Sequence, residues 1–259
     1  MGPVAIITGA GRGIGAATAR RLAADGWRLV LVDRGEDDPA LAYPLAGAAE
    51  LRAVAAEVGG VACLADVRDQ AGLDAAVATA VGRFGGLDAA LAVAGGIAGG
   101  AKAWETPDEV WAAMVGINLE GVWRLARAAV PALLARPTPR HGRFVAVSSA
   151  GGSRGLPLLA AYAAAKHGVA GLVRSMAAEL GPEGVTVNAV APGSTATAML
   201  DASAAVYGLE GPAAFADQHL TGRLVLPEEV AEMVAWLCGP AASAVTGAVL
   251  AVDAGMTAS

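Results

Sequence analysis

The stretch Val4-Ala5-Ile6-Ile7-Thr8-Gly9-Ala10-Gly11-Arg12-Gly13-Ile14-Gly15 decides the fold. Its first five residues are apolar or β-branched, its middle is rich in glycine, and a helical period carries on to Ala24. A strand, a glycine turn and a helix start in that order form an anion site. The first amides of a helix have no partner within it, and the positive end of its dipole faces the turn. Glycine lets the backbone approach a pyrophosphate and lets the helix pack against the strand. A glycine pattern alone is a weak signal. Here the preceding strand, the following helix and the position in the first βα unit supply the context it needs. Gly9, Gly11, Arg12, Gly13, Ile14 and Gly15 are therefore the expected phosphate cradle of a dinucleotide.

Outward from this unit, short β-branched runs alternate with longer alanine-rich segments of helical period. Val4–Thr8, Arg28–Asp33, Gly60–Ala65, Leu87–Ala94, Gly142–Ser149, Thr186–Ala191 and Val249–Asp253 read as strands. Six helices are expected between them, starting near Gly13, Ala46, Gln70, Pro107, Ala160 and Pro227. The runs are apolar throughout rather than alternating, as strands covered on both faces must be. This order predicts an α/β fold: a doubly wound parallel seven-stranded sheet with helices on both faces. With no linker or repeat in view, residues 1–259 read as a single domain.

Asp33 ends the second strand, eighteen residues beyond Gly15, where an acid meets the adenosine ribose hydroxyls of a bound dinucleotide. A carboxylate there repels a 2′-phosphate, so NAD is favoured over NADP. Arg34 and Arg12 count the other way, since either could pair with such a phosphate. Asp66 and Val67, closing the third strand, are candidates for the adenine edge, or Asp66 simply caps a turn.

Further along, Tyr162 and Lys166 stand four residues apart in an alanine-rich helix, on one face. An ammonium beside a phenol favours the phenolate and lowers its pKa toward the pH at which an acid–base group works best. Many helices carry such a pair by chance. The wider set narrows the choice: the Thr8–Gly15 turn, Asn118, Ser149, Tyr162, Lys166 and the run Pro192-Gly193-Ser194-Thr195-Ala196-Thr197.

Taken together, and in this order, these residues resemble the short-chain dehydrogenase/reductase family over essentially the whole chain. The resemblance implies a Rossmann-type fold and an NAD(P)-dependent alcohol dehydrogenase or ketone reductase. It implies that Ser149, thirteen residues before Tyr162, hydrogen-bonds the substrate oxygen and that Tyr162 passes the proton. Lys166 holds the nicotinamide ribose and tunes the phenol, and Asn118 anchors a water of the proton relay. It further implies cofactor contacts from Ala94, Gly95, Tyr162, Lys166, Pro192, Gly193 and Thr195, with Thr197 on the nicotinamide carboxamide. Two donors, Ser149 and Tyr162, facing a developing alkoxide are stabilisation of the oxyanion-hole kind. Asn118 is expected inside a helix over Asp108–Arg136, with Thr106 as cap and Pro107 as first residue. Ser148 reads as structural. One departure stands out: the family usually carries Asn-Asn-Ala-Gly after the fourth strand, where Ala92-Val93-Ala94-Gly95 stands here.

Composition agrees with this reading and excludes others. The chain is 55% hydrophobic with a formal net charge of −6, and no basic block offers a nucleic-acid surface. No apolar stretch is long enough to span a bilayer, the N-terminus lacks a secretory pattern, and a cytoplasmic location is expected. Two cysteines, Cys63 and Cys238, make no disulfide framework and read as small core residues. No grouping of His, Asp or Glu suggests a metal. Of the three histidines, His141 and His167 read as exposed or packed, and His219, in the expected lid, reads as structural, with contact to substrate as the alternative.

A narrower resemblance follows from the segment after Asp33, which is longer than one loop and helix require. Glu36-Asp37-Asp38-Pro39 and Ala42-Tyr43-Pro44-Leu45-Ala46, with Trp104-Glu105-Thr106-Pro107 and Val245-Thr246-Gly247, are similar to the mycofactocin-associated subgroup. That subgroup implies NAD kept bound while electrons pass to a peptide-derived carrier. The insert is expected to fold over the adenosine half of the cofactor. Residues 194–226 form the expected substrate lid, with Met199, Leu200, Tyr207, Phe215 and Leu220 as apolar surface and Leu156 and Leu159 on the facing wall. An apolar secondary alcohol or ketone is the expected substrate. A 3-oxoacyl-thioester (acyl carrier protein) reductase using NADPH is the nearest alternative, and a non-catalytic NAD-binding sensor the alternative of another kind. A homotetramer is expected, with a dimer as the lesser possibility, and Ala248–Met256 as a candidate interface.

Overall fold

The computed structural model describes residues 2–258. Seven parallel strands form one sheet in the order β3-β2-β1-β4-β5-β6-β7. They are β1 (Val4–Thr8), β2 (Arg28–Asp33), β3 (Val61–Leu64), β4 (Ala89–Ala92), β5 (Gly142–Val147), β6 (Val185–Pro192) and β7 (Val249–Val252). β1 pairs with β2 on one side and β4 on the other. The chain therefore reverses its direction of winding between β1 and β4, and such a switch point opens a crevice at the carboxyl ends of the strands.

Alternation along β1 shows why the strand residues are mostly apolar on both faces. Val4 and Ile6 enter one core with helices α3 (Gln70–Phe84), α5 (Gly121–Leu134) and α6 (Ala160–Leu180). Ala5 and Ile7 enter the other with α1 (Gly13–Ala24), α2 (Ala48–Glu57) and α8 (Pro227–Cys238). Successive side chains point to opposite faces, so a strand sandwiched between two helix layers has no polar side to show. Phe144 of β5 is the largest fully buried side chain; truncating it to alanine removes about 3–5 kcal/mol.

Several boundaries differ from expectation. β3 and β4 are shorter than their apolar runs. α2 starts at Ala48, not Ala46, because Gly47 is its cap and Glu50 reaches back to the Gly47 amide at 2.8 Å. The helix expected over Asp108–Arg136 is α4 (Asp108–Val115), a π turn over Gly116–Glu120, and α5. Pro107 is its cap rather than its first residue, and the Thr106 hydroxyl donates to the Lys102 carbonyl instead of capping. The lid region carries a helix the periodicity had not marked, α7 (Ala198–Val206). Among the described residues no helix is long and apolar enough to cross a membrane.

Candidate active site

Two joined cavities open at the switch point, of about 470 and 590 Å³, sharing Ile14, Val93, Gly95, Thr197 and Met199. The first is lined by the glycine turn. Gly9 has φ +68°, and a Cβ there would lie 2.6 Å from the Ala94 Cα, so only glycine lets β1 and the β4 loop meet. Arg12 is the N-cap residue of α1, yet its side chain does not cap, which leaves the first helical amides to an anion. The Arg12 guanidinium donates instead to the Pro44 carbonyl. Gly9, Arg12, Gly13, Ile14, Gly15, Asp33, Arg34, Asp66, Val67, Ala94, Gly95 and Thr197 all line this half. Gly11 lines neither cavity; its amide donates to Asp33 Oδ2 at 2.8 Å.

Asp33 accepts a second amide, from Arg34, on Oδ1 at 2.8 Å. Burial raises its pKa and these two amides oppose the rise. Each oxygen keeps a lone pair for a further donor. Arg34 is committed elsewhere: it bonds Asp38 and lies 3.4 Å from Glu36 and 3.6 Å from Asp66. Arg68 closes the group, bonding Asp66 at 2.6 Å and Asp38 at 2.5 Å. Burial pushes the Asp66 carboxyl up, but its pairing with Arg68 prevails and holds it below the usual range.

The insert after Asp33 lies along this half. Leu41, Tyr43, Leu45 and Ala46 line it beside the glycine turn. Asp38, only 3% exposed, holds the insert from below through Arg34 and Arg68. Asp37 Oδ1 accepts the Leu45 amide at 2.7 Å, and the Tyr43 hydroxyl accepts the Ile97 amide at 3.2 Å. Leu41 packs with Ile97, Ile117 and Tyr162 in one cluster. The insert thus ties the end of β2 to the loop after β4.

The second cavity holds Ser149, Tyr162 and Lys166, together with Pro192, Gly193 and Thr195. The Ser149 hydroxyl faces the Tyr162 phenol closely enough to favour its charged form, and Ser149 Oγ also accepts the Gly151 amide at 3.0 Å. Lys166, 3% exposed, donates to the Val147 carbonyl at 2.9 Å, with its nitrogen 5.8 Å from the Tyr162 ring centre. Burial pushes the Tyr162 phenol above its ordinary range while the Ser149 hydroxyl pulls it down. The lowered phenol pKa expected from the lysine is therefore not found. Burial also lowers Lys166, to about 8, so both members of the pair are drawn toward their neutral forms. Ser148 is structural, donating to the Lys166 carbonyl at 3.0 Å.

Asn118 lies in the π turn, fully buried, and lines neither cavity. Its Oδ1 accepts the Gly96 amide at 3.2 Å, and its Nδ2 donates to the Gly96 and Met114 carbonyls at 2.9 and 3.0 Å. Gly95 stands between it and the lysine: a Cβ there would lie 3.1 Å from Asn118 Oδ1 and 3.6 Å from Lys166 Nζ. Thr8 was not singled out by sequence reasoning. Its hydroxyl accepts the Val93 and Ala94 amides at 3.2 and 3.3 Å and so bridges β1 to the loop that lacks the family's asparagine. A lone polar residue ending an apolar strand was the available signal.

Met199, Leu200, Tyr207, Phe215, Leu156 and Leu159 line the second cavity, as expected. Leu220 does not; it is 70% exposed. His219 is 4% exposed and meets the backbone, its Nε2 accepting the Ser194 amide at 3.1 Å. Cys238 is buried as expected, whereas Cys63 is only half-buried.

Comparison with known proteins agrees with this geometry. A family model described as enoyl-(acyl carrier protein) reductase matches residues 9–257. (−)-trans-Carveol dehydrogenase of Rhodococcus erythropolis is 38% identical, covering 99% of this chain and 98% of its own. Carveol dehydrogenase from Mycobacterium avium, solved in complex with NAD, superposes with a TM-score of 0.94 at 37% identity. It covers 100% of this chain and 98% of that one. An actinorhodin polyketide ketoreductase variant, solved with NADPH, gives a TM-score of 0.89 at 36% identity, covering 99% and 97%.

Proposed function

The chain belongs to the short-chain dehydrogenase/reductase family, and from that premise we propose that it oxidises an apolar secondary alcohol, or reduces the matching ketone, using NAD. One observation carries the reading: Ser149, Tyr162 and Lys166 line one largely apolar cavity that joins the glycine-lined cleft. The nicotinamide cofactor supplies the hydride chemistry. The uncapped amides of α1 fit a pyrophosphate and Asp33 fits a ribose diol.

In this reading Ser149 and Tyr162 both donate to the substrate oxygen, and Tyr162 takes or returns the hydroxyl proton. Lys166 holds the nicotinamide ribose and supports charge on the phenol. Asn118 holds the Gly96 backbone and anchors a water of the relay. Thr197, Thr195, Pro192 and Gly193 hold the carboxamide end, and Ala94 and Gly95 admit the ribose. Asp66 and Val67 border the adenine.

NAD is preferred over NADP because Asp33 would repel a 2′-phosphate and Arg34, one of the two cations able to pair with it, already faces Asp38, Glu36 and Asp66. The insert from Glu36 to Ala46 slows cofactor release, and the enzyme passes its electrons to a mycofactocin-type carrier. It works as a cytoplasmic homotetramer. The 3-oxoacyl-thioester reading is favoured by the likeness to the polyketide ketoreductase; it requires NADPH and a thioester.

A panel of secondary alcohols, assayed with NAD and with an artificial electron acceptor, tests the proposal. Protein purified without added nucleotide is expected to carry nicotinamide absorbance and to reduce the acceptor dye. Turnover only with NADPH and a thioester would replace this reading with the other.

A further inference from the structure

The second cavity is charged at two places alone: of its described lining residues only Lys166 and Arg154 are charged, and none is acidic. Lys166 is buried beside Tyr162. Arg154 is exposed, on the loop between Ser149 and Tyr162. Its Nη1 donates to the Met256 carbonyl at 3.0 Å, a neutral acceptor that orients the guanidinium without cancelling its charge. No carboxylate pairs with it among the described residues, whereas Arg223 on the lid faces Glu229 at 2.6 Å. The charge reaches into the cavity: burial raises the Tyr207 phenol and Arg154 opposes that rise. Leu156, Pro157, Leu159, Leu200, Tyr207 and Phe215 line the space as well.

We infer that Arg154 receives a carboxylate at the far end of the substrate, so that the preferred substrate is an apolar oxo or hydroxy acid rather than a neutral alcohol or ketone. This inference rests on the proposed function and specifies its substrate class. An unpaired guanidinium offers a carboxylate a charge-assisted, bidentate partner. A neutral apolar ligand would strip water from the same cation and return nothing. The reacting carbon sits at the Ser149–Tyr162 end, the chain fills the apolar middle, and the carboxylate meets Arg154. Because the arginine is exposed and water screens it, the expected preference is moderate.

The test uses methyl-ketone acids of increasing length (5-oxohexanoate, 7-oxooctanoate and 9-oxodecanoate) and their methyl esters, with NADH, on wild type and Arg154→Met. For at least one length the acid is expected to exceed its ester in kcat/KM by about tenfold, or about 1.4 kcal/mol. That ratio is expected to fall close to one in Arg154→Met. A ratio of one or less at every length in wild type, or a ratio unchanged in the variant, overturns the inference. Equilibrium dialysis of the same acids onto the protein with NADH needs no turnover. Where no ketone is reduced the oxidoreductase reading fails, yet Arg154-dependent acid binding still supports this contact, and equal binding to both proteins overturns it.

Discussion

Lys166 and Val147 form the contact that holds the chemistry in place: the lysine nitrogen donates at 2.9 Å to the carbonyl ending β5, not to the Tyr162 phenol. The ammonium is thus tied to the sheet. It is also buried, with its pKa lowered to about 8, and that has a consequence for stability.

Between pH 8 and about 10.5 the unfolded lysine binds a proton that the folded one has released, so folding stability rises with pH across this window. Tyr162, raised by burial, acts oppositely above about pH 10, where the unfolded phenol ionises first. Urea unfolding of the ligand-free protein is expected to show a gain from pH 8 to 10 that Lys166→Met abolishes. A flat profile in wild type would refute the buried ammonium.

Removing the Tyr162 hydroxyl, as Tyr162→Phe, is expected to lower kcat by about 10²–10⁴-fold, the range of general acid–base catalysis. Ser149→Ala removes one of two donors to the substrate oxygen and is expected to cost about 10²-fold or more. In both variants NADH binding, read by fluorescence titration, is expected to stay within about twofold, because the group removed is in each case the hydroxyl proposed to meet the substrate oxygen. Wild-type kcat in Tyr162→Phe would remove the assigned role.

Cofactor choice is expected to turn on Asp33. Asp33→Ser removes the carboxylate that would repel a 2′-phosphate, and like charges in close contact cost several kcal/mol. The ratio of kcat/KM with NAD to that with NADP is expected to fall about tenfold or more. An unchanged ratio would mean that discrimination lies elsewhere, with Arg12 or Arg34.

Asp38 is the pin of the insert, since both Arg34 and Arg68 bond its carboxylate. Asp38→Asn deletes one charge and leaves two arginines facing each other, so the insert is expected to loosen. Release of NAD, followed by displacement with excess labelled cofactor, is expected to quicken about tenfold while thermal stability falls modestly. Release at the wild-type rate would sever the insert from cofactor retention.

Much of this protein was legible along the chain because its signals are local. Val4 to Ile7 are apolar without alternation because helices cover both faces, and that alone announces a parallel sheet. The glycines of the turn and the spacing of Tyr162 and Lys166 repeat at fixed short distances, which a linear reading captures. The Thr106 cap misread shows the limit: threonine before proline is a capping signal, yet here the hydroxyl reaches back to Lys102. α7 was missed because its short apolar run, within a stretch read only as a lid, lacks a polar face to mark its period.

By itself, the order of residues determined the parallel sheet and the glycine turn, which follow from burial on two faces and backbone sterics, while Ser149, Tyr162 and Lys166 were picked out by the family resemblance that their order carries. Only the tertiary structure decided that Arg34 is engaged by acids, that Arg68 pins Asp38 from thirty residues away, that Lys166 is buried, and that no carboxylate among the described residues pairs with Arg154 in the second cavity. Those are matters of distance between segments remote in sequence, and charge and solvation depend on distance through space, which no linear pattern encodes.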